Sequence, residues 1–465
     1  MKQHIYPVQI VESQNCENPQ NLLIKKPLQI SLAEPSITTF RAGGYVILDF
    51  GQELNGGVRI LSFARKTADV HIRFGESLSE CCACLGGSRN ATNDHALRDF
   101  TTVLPKLSDS TFGQTGFRFV RIDFLEDAQI KSIVAVNHIL NRAPVYRYTG
   151  SDAQIQAIFE TAKRTVDLCA AHGYVWDGVK RDRLVWIGDI HPEMLALTTL
   201  YGRVPAIEKS LDFIRKLTPL PGWMNRYPMY SMWWIIILAD YYERVPATAF
   251  VQRQLPYLQA LIRQLNDHVH ENGELAYPSY FVDWPTKGTP DEIHGARAIN
   301  IIAAKKAIAL LGAFGQDTTG AQALLDKLLK IEIAPARSKQ VTALKFFATE
   351  LTDADRLRLA EGGAHGMSTF MSYYILKAVA SFDKPLAIRM MKDYYGAMLD
   401  KGATTFWEDF DMRWIENSCR IDQFPAEGQL DIHGDFGAFC YKGFRHSLCH
   451  GWSAGVLRFI EEIYG

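Results

Sequence analysis

Residues 255–269 read LPYLQALIRQLNDHV, and the spacing of Leu255, Leu258, Leu261, Ile262, Leu265 and Val269 places six apolar side chains on one helical face. Leu324, Leu325, Leu328 and Leu329 repeat the pattern. From about Thr149 onward, segments of this kind alternate with Gly/Pro loops. The remaining stretch of about 315 residues accommodates roughly a dozen helices at ordinary helix and connection lengths. Twelve helices can close as a double ring, although the periodicity alone fits an open α-solenoid equally well. Before that point the period is different. Tyr45-Val46-Ile47-Leu48, Val58-Arg59-Ile60-Leu61 and Val70-His71-Ile72-Arg73-Phe74 are short apolar runs, separated by expected turns at Gly43-Gly44, Gly51 and Gly56-Gly57. Val120-Arg121-Ile122-Asp123-Phe124 alternates as a half-buried strand does. The expectation is a β-sandwich over residues 1–145 and a helical domain over 146–465.

Composition narrows the function classes. With 47% hydrophobic and 22% charged residues among 465, the chain has the balance of a soluble globular protein and enough length for a large core. A formal net charge of −1 gives no electrostatic reason to expect nucleic acid or an anionic membrane as partner. The N-terminus lacks a cationic region followed by an apolar core, and no apolar run is long enough to span a bilayer, so a cytoplasmic location is expected. Eight cysteines are too few for a disulfide scaffold. Cys81, Cys82 and Cys84, with no second pair at zinc spacing, read as loop thiols. No dinucleotide, phosphate-binding or serine-elbow motif is visible.

Chemistry concentrates in two places. Trp176-Asp177-Gly178, followed by Lys180-Arg181-Asp182-Arg183-Leu184-Val185-Trp186-Ile187-Gly188-Asp189, packs three carboxylates, three cations and two indoles into one short stretch. A sugar site needs these groups: acids for proton transfer, charged donors for hydroxyls and flat aromatic faces. The second place is Gly402-Ala403-Thr404-Thr405-Phe406-Trp407-Glu408-Asp409, where a carboxylate again follows a tryptophan. Hydrolysis of a glycosidic bond takes two carboxyl groups, and these clusters can supply them only if the helical half closes. The competing reading of the first cluster is an ion-paired loop in which Arg181 or Arg183 satisfies Asp182.

Tryptophans recur at Trp223, Trp233-Trp234, Trp284, Trp407, Trp414 and Trp452. Core packing is the default for each, but Trp284, inside Phe281-Val282-Asp283-Trp284-Pro285, points toward ligand contact. His446 and His450 are spaced to share a helix face as metal ligands. They lack the glutamate of a zinc-protease motif, so a buried structural histidine or a sugar contact is expected, with no metal.

At this point the sequence resembles a known family. Asp177-Gly178-Val179-Lys180-Arg181-Asp182-Arg183-Leu184-Val185-Trp186-Ile187-Gly188-Asp189 is similar to the catalytic signature of the α-L-rhamnosidases of glycoside hydrolase family 78. Asp49-Phe50-Gly51-Gln52-Glu53-Leu54-Asn55-Gly56-Gly57, Arg73-Phe74-Gly75-Glu76-Ser77 and Gly116-Phe117-Arg118-Phe119-Val120-Arg121 resemble its β-domain. Gly402–Glu408 and Cys449-His450-Gly451-Trp452-Ser453-Ala454-Gly455 resemble its C-terminal signatures. The resemblance implies a β-sandwich followed by an (α/α)6 toroid, and an inverting hydrolase that uses no cofactor.

Carried over by position, Asp182 is the general acid and Glu408 the base. Asp177, Arg181, Trp186, Asp189, Trp284 and His450 bind the sugar. Asp182 stands where many members carry Glu, and Val185 where a small residue or proline is frequent. Asn93-Asp94-His95-Ala96-Leu97-Arg98-Asp99 also resembles a family segment and reads as a β-domain loop able to reach the catalytic mouth, with no chemical role assigned. The expected partner is an oligosaccharide or glycoside whose terminal α-L-rhamnose is released by exo action; oligomeric state is not legible. The alternatives are a lyase for rhamnose-linked uronates on the same fold and a sugar-binding protein without catalysis.

Overall fold

The structure, a computed structural model, describes residues 2–31, 33, 34 and 36–465. The N-terminal part contains β1 (Lys2–Ile5), β2 (Gln9–Glu17), β3 (Thr38–Ser62), β4 (Ala68–Gly75), α1 (Leu78–Cys82), β5 (Asp99–Leu104), β6 (Asp109–Phe124) and β7 (Ala128–His138). These strands form one sheet in the order β1-β7-β3-β6-β4-β5, with β2 also paired to β3. The expected runs Tyr45–Leu48 and Val58–Leu61 are two ends of the single strand β3. Its pairing with β6 is interrupted between Asp49 and Leu54, where the intervening residues bulge out. Gly51 and Gly56-Gly57 are therefore not turns between strands. A Cβ on Gly56 would lie 1.8 Å from the Val136 carbonyl oxygen, and one on Gly57 would lie 2.2 Å from that of Gly113, so these glycines permit close strand approach. Alternate residues of β3, β4, β6 and β7, among them Val46, Leu48, Val70, Ile72, Val120, Ile122 and Phe124, fill one apolar core.

Twelve α-helices follow among the described residues: α2 (Ala153–Cys169), α3 (Ile190–Tyr201), α4 (Pro205–Leu217), α5 (Pro228–Arg244), α6 (Thr248–Asp267), α7 (Asp291–Ala313), α8 (Thr319–Leu328), α9 (Lys339–Ala348), α10 (Asp353–Ala360), α11 (Ser372–Ala380), α12 (Lys384–Asp400) and α13 (Val456–Tyr464). Local chemistry sets their starts. Asp152 caps α2 by accepting from Gln154 N and Ile155 N, Thr352 and Asp355 form a capping box on α10, and Pro205 and Pro228 open α4 and α5. The five leucines and isoleucines of 255–265 are buried along α6, as the spacing requires. Val269 is buried just beyond the end of α6, whereas Leu329 lies past the end of α8 and is half exposed, outside the predicted face.

The odd-numbered helices touch in a cycle: α3 packs on α5, α5 on α7, α7 on α9, α9 on α11, α11 on α13, and α13 returns to α3. Even-numbered helices flank them, α6 on α5, α8 on α7, α12 on α11 and α2 on both α3 and α13. Burial follows this order. Every residue of α3 is buried, whereas α4 and α8 bury one stripe. The helical reading fails over residues 401–450, which form loops, 3-10 turns and two short strands, and it is these loops together with 170–189 that carry the chemistry. Among the described residues, no helix is long and apolar enough to cross a membrane.

The sheet and the helices meet across a polar seam. At the β3 bulge, Glu53 N donates to Thr404 Oγ1 at 2.8 Å and the Glu53 carbonyl accepts from Arg164 of α2. Asn55 Nδ2 donates to the Leu168 carbonyl at 3.0 Å. A Cβ on Gly116 would press within 2.9 Å of Lys180 N, so the sheet touches the 177–189 loop directly. Lys180 itself is 1% exposed, and its Nζ lies 3.1 Å from Glu76 Oε2 and 2.9 Å from Glu80 Oε1 while donating to the Phe444 and His446 carbonyls. Lys180→Met removes the ammonium beside buried Glu76 and leaves Glu80 to Arg98 alone, and we expect it to cost about 3–5 kcal/mol. A lower urea midpoint, with earlier proteolysis of the 401–450 loops, checks this.

Candidate active site

Residues 177–189 form a tight loop ahead of α3. Asp177 N donates to the Leu184 carbonyl at 3.1 Å, and Leu184 N donates back to Asp177 Oδ1 at 2.8 Å, pinching residues 178–183 into a hairpin-like arch. Asp182 (φ 53°) and Arg183 (φ 56°) at its tip lie in the left-handed region, a strain on the order of 1–3 kcal/mol each of the kind found at functional sites. Asn225 holds the outgoing strand, accepting from Ile187 N at 2.9 Å and donating to the Val185 carbonyl at 3.0 Å. The arch splits its cations: Lys180 points into the sheet, Arg181 into the cavity, and Arg183 outward, donating to the Gln114 carbonyl. Trp176 is also outside the site, stacked on His172 at 4.5 Å and with the Arg183 guanidinium over its ring at 4.9 Å.

The second cluster is brought against the first by backbone pairing. Gly178 bridges His450, and Gly451 N donates to the Asp177 carbonyl at 2.7 Å. Glu408 N donates to the Ser447 carbonyl and Ser447 N returns a 3.0 Å bond to Glu408 Oε2. The Glu408 carbonyl accepts from Thr369 and from Trp452 Nε1. The two clusters, more than 200 residues apart in the chain, thus meet around a single cavity. Asp177, Arg181, Asp182, Trp186, Asp189, Trp284, Glu408 and His450, all eight residues expected from sequence, line it.

Arg181 organises the cavity. Its Nη1 donates to Asp182 Oδ1 at 3.2 Å and its Nη2 to Glu408 Oε1, while its guanidinium lies over the Tyr441 ring at 5.2 Å. Asp182 accepts a further bond from Trp186 Nε1 on Oδ2 at 3.1 Å. Arg181, not Arg183, is therefore its guanidinium partner. His450 Nε2 sits 3.7 Å from Glu408 Oε1, 3.9 Å from Asp177 Oδ2 and 4.0 Å from Asp189 Oδ2. Tyr230 donates to Asp189 Oδ1 at 3.0 Å.

His446 and His450 do not share a helix face. His446 Nε2 accepts from Asp409 N at 2.9 Å, edge-on to Trp407 and Trp414, and is structural. A donor set that could hold a cation is instead Asp177, Asp189 and His450, whose ligand atoms lie within 4.8 Å of one another. Glu76, Glu80 and His433 form a second such group, but the Lys180 ammonium already supplies the positive charge there.

Burial dominates the electrostatics. It pushes Asp177 well up, reinforced by Asp182 and Asp189, and it pushes Asp189 well up against the Tyr230 hydrogen bond. It raises Glu408 to about 7, against the pull of Arg181 and of the Ser447 N–H. The His450 ring is driven well below the ordinary range by burial and then by Arg181, so it is neutral. Tyr227, Tyr230, Phe281, Cys440, Tyr441 and Trp452 complete the wall and were not singled out from sequence as site residues. Phe281 and Trp452 lay inside quoted motifs; the others carried no local signal. Trp233, Trp234 and Trp407 are core, as the default held.

In fold, the chain is similar to a rhamnosidase from Klebsiella oxytoca solved with rhamnose bound, with a TM-score of 0.74 and 20% identity over 100% of this chain and 96% of that one. A GH78 family rhamnosidase of Bacillus sp. GL1 matches with a TM-score of 0.70 and 18% identity over 96% of this chain and 48% of that one. An α-L-rhamnosidase from Dictyoglumus thermophilum matches with 0.67 and 15% over 99% and 51%. The chain thus spans about half the length of the latter two. No protein-family model and no curated protein sequence matches it. The chain has the fold that these rhamnosidases share.

The raised Glu408 is directly measurable. In protein carrying labelled glutamate, its carboxyl carbon is expected to titrate near pH 7. Arg181→Met removes an opposing charge, so the midpoint moves to higher pH; a midpoint that stays put or falls contradicts the assignment of Arg181 as its stabilising partner.

Proposed function

We propose that the protein is an inverting, exo-acting α-L-rhamnoside hydrolase in which Asp182 is the general acid and Glu408 the general base. The observation that carries this is the single guanidinium of Arg181, which holds both carboxyls in one cavity with a hydrogen bond to each. Two carboxyl groups set apart across a sugar ring are the requirement of inverting hydrolysis. Likeness in fold to a rhamnosidase with rhamnose bound supports rhamnose as the sugar. The cycle of odd-numbered helices supports an (α/α)6 toroid over residues 146–465. The bulge in β3, whose two ends both pair with β6 and β7, supports a sandwich-like closure of the sheet over residues 1–145.

In this mechanism Asp182 transfers its proton to the glycosidic oxygen as the bond from that oxygen to the anomeric carbon breaks. Water adds to the opposite face of that carbon and gives its proton to Glu408. Glu408 must therefore be ionised beforehand, and Arg181 and Ser447 N stabilise that charge in a buried place. Asp177, Asp189 and neutral His450 are placed to bond ring hydroxyls at the cavity floor, and Trp186 and Trp284 to cover the apolar face of the sugar. Asp177, Asp189, Glu408 and His450 are each almost fully buried, which supports a pocket that takes a chain end rather than an internal residue. Arg181 is the cation lining the cavity, and both its arms are engaged by carboxylates. That arrangement leaves it poorly suited to a substrate uronate and disfavours the lyase.

Incubation with an aryl α-L-rhamnoside is expected to release rhamnose that appears first as the inverted β-anomer by early-time proton NMR. Asp182→Asn and Glu408→Gln are each expected to lower kcat by about 10²–10⁴. Retention of configuration, an unsaturated uronate product, or turnover unchanged in both variants rejects the proposal. Because the base works as a carboxylate and burial raises it to about 7, kcat/KM is expected to rise with pH through that region and to fall below it as Glu408 takes up a proton.

A further inference from the structure

A further cavity lies inside the cycle of odd-numbered helices. Each of the six supplies a side chain to its wall: His191 from α3, Trp233 from α5, Lys306 from α7, Phe347 from α9, Tyr374 from α11 and Arg458 from α13. The wall continues down α5 from Trp233 through Asp240 to Glu243, away from Tyr230, which faces the catalytic cavity from the first turn of the same helix. Buried rings stand between the two cavities. Phe370 stacks on Trp452 of the catalytic wall at 5.1 Å and meets Trp233 edge-on at 6.2 Å.

The wall changes character with depth. The Glu243 side chain is 57% exposed and those of Lys306 and Lys377 are partly so, whereas Trp233, Tyr373 and Tyr374 are buried. Between rim and floor runs a chain of polar contacts, from Tyr374 OH to His191 Nδ1 at 2.5 Å, from His191 Nε2 to Asp240 Oδ2 at 2.8 Å, and from Asp240 Oδ1 to Lys306 Nζ at 2.5 Å. The lysines and arginines of the wall are all paired: Lys306 with Asp240 and Glu243, Arg244 with Glu461, Lys377 with Glu462, and Arg458 with Glu461 and Glu462. A charged ligand would have to break such a pair, whereas paired ammonium and carboxylate groups keep spare positions for neutral hydroxyls. One buried donor is left over. Trp233 is 1% exposed, and its Nε1–H has no hydrogen-bond partner among the described residues. A buried indole N–H ordinarily finds an acceptor. We propose that this cavity is a second carbohydrate site, taking one neutral monosaccharide whose hydroxyls bond Asp240, Lys306 and Trp233 Nε1 and whose C–H surface lies against the aromatic rings. The inference goes beyond the hydrolase reading and does not use the roles of Asp182 and Glu408.

The test uses the full chain with nitrogen-15 in its tryptophan indoles, titrated in turn with L-rhamnose, D-glucose, D-galactose and D-mannose. The Trp233 signal is assigned by its loss in Trp233→Phe. At least one of the four sugars is expected to move that signal saturably. Lys306→Ala is expected to weaken the response by about tenfold or more, the loss of a hydrogen bond to a charged group, without altering any response at Trp284 of the catalytic cavity. Should Lys306→Ala lose its fold by circular dichroism, Lys377→Ala at the rim carries the same comparison. Trp186→Ala, which strips the catalytic cavity, is expected to leave the Trp233 titration curve unchanged. The proposal is overturned if none of the sugars moves Trp233, or if the rim variant leaves its affinity intact. It is also overturned if Trp233 and Trp284 follow one curve and weaken together in Trp186→Ala, because the shift is then transmitted through Phe370 from the catalytic cavity.

Discussion

The architecture depends on one buried ammonium. Lys180 belongs by sequence to the catalytic arch, yet its side chain leaves the arch and ends among Glu76, Glu80 and the carbonyls of residues 444 and 446. Burial pushes Glu76 upward, while Arg98 and Lys180 hold Glu80 well below the usual carboxylate range despite its burial. Isolated charges at such depth are prohibitively costly, so the cluster survives only with all members present. It therefore fixes three segments relative to one another: the sheet edge after β4, the arch, and the loop that supports Glu408. Glu76 extends the same network by accepting from Leu448 N at 2.6 Å and from Ser447 Oγ, next to the amide that holds Glu408.

Adjacent residues of the arch therefore serve opposite tasks. Lys180 anchors backward and Arg181 reaches forward, and the left-handed residues Asp182 and Arg183 then turn the chain back. Strain of this kind persists only where surrounding bonds over-determine it. Here the Asp177–Leu184 pair and the Asn225 clasp supply those bonds.

How much of this was legible in the sequence follows from the range of each signal. Helices α6 and α8 were visible because burial on one face leaves a 3.6-residue record. Helix α3, buried on every side, leaves no such record, and the glycines of β3 read as turns because a pattern cannot distinguish a turn from a close strand crossing. The dense run of acids, cations and tryptophans over 176–189 pointed to a site by itself, whereas the full set of eight, Trp284 and His450 included, came from the family resemblance carried over by position. Tyr227, Cys440 and Tyr441 were missed because each reaches the cavity through tertiary placement of a loop without periodicity. The segment around His95 stood out through its family resemblance and its polarity, but its approach to Asp182, 3.1 Å between His95 Nε2 and Asp182 Oδ1, depends on how the sheet docks, and no local pattern encodes that.

Arg181 links the two carboxyls electrostatically as well as geometrically. An acid–base pair of like residues needs environments that favour opposite protonation states. Glu408 is 3% exposed, and the guanidinium of Arg181 together with the Ser447 N–H opposes the burial that raises it. Asp182 lies nearer solvent, and the same guanidinium reaches it at 3.2 Å. The shorter side chain at position 182 suits this placement, because an aspartate carboxyl is tied closely to the backbone turn that presents it. Its orientation is then set by the arch, Arg181 and Trp186 rather than by rotamer choice alone. Precision at the acid then depends on how the arch is held, which is the constraint that the Lys180 cluster satisfies.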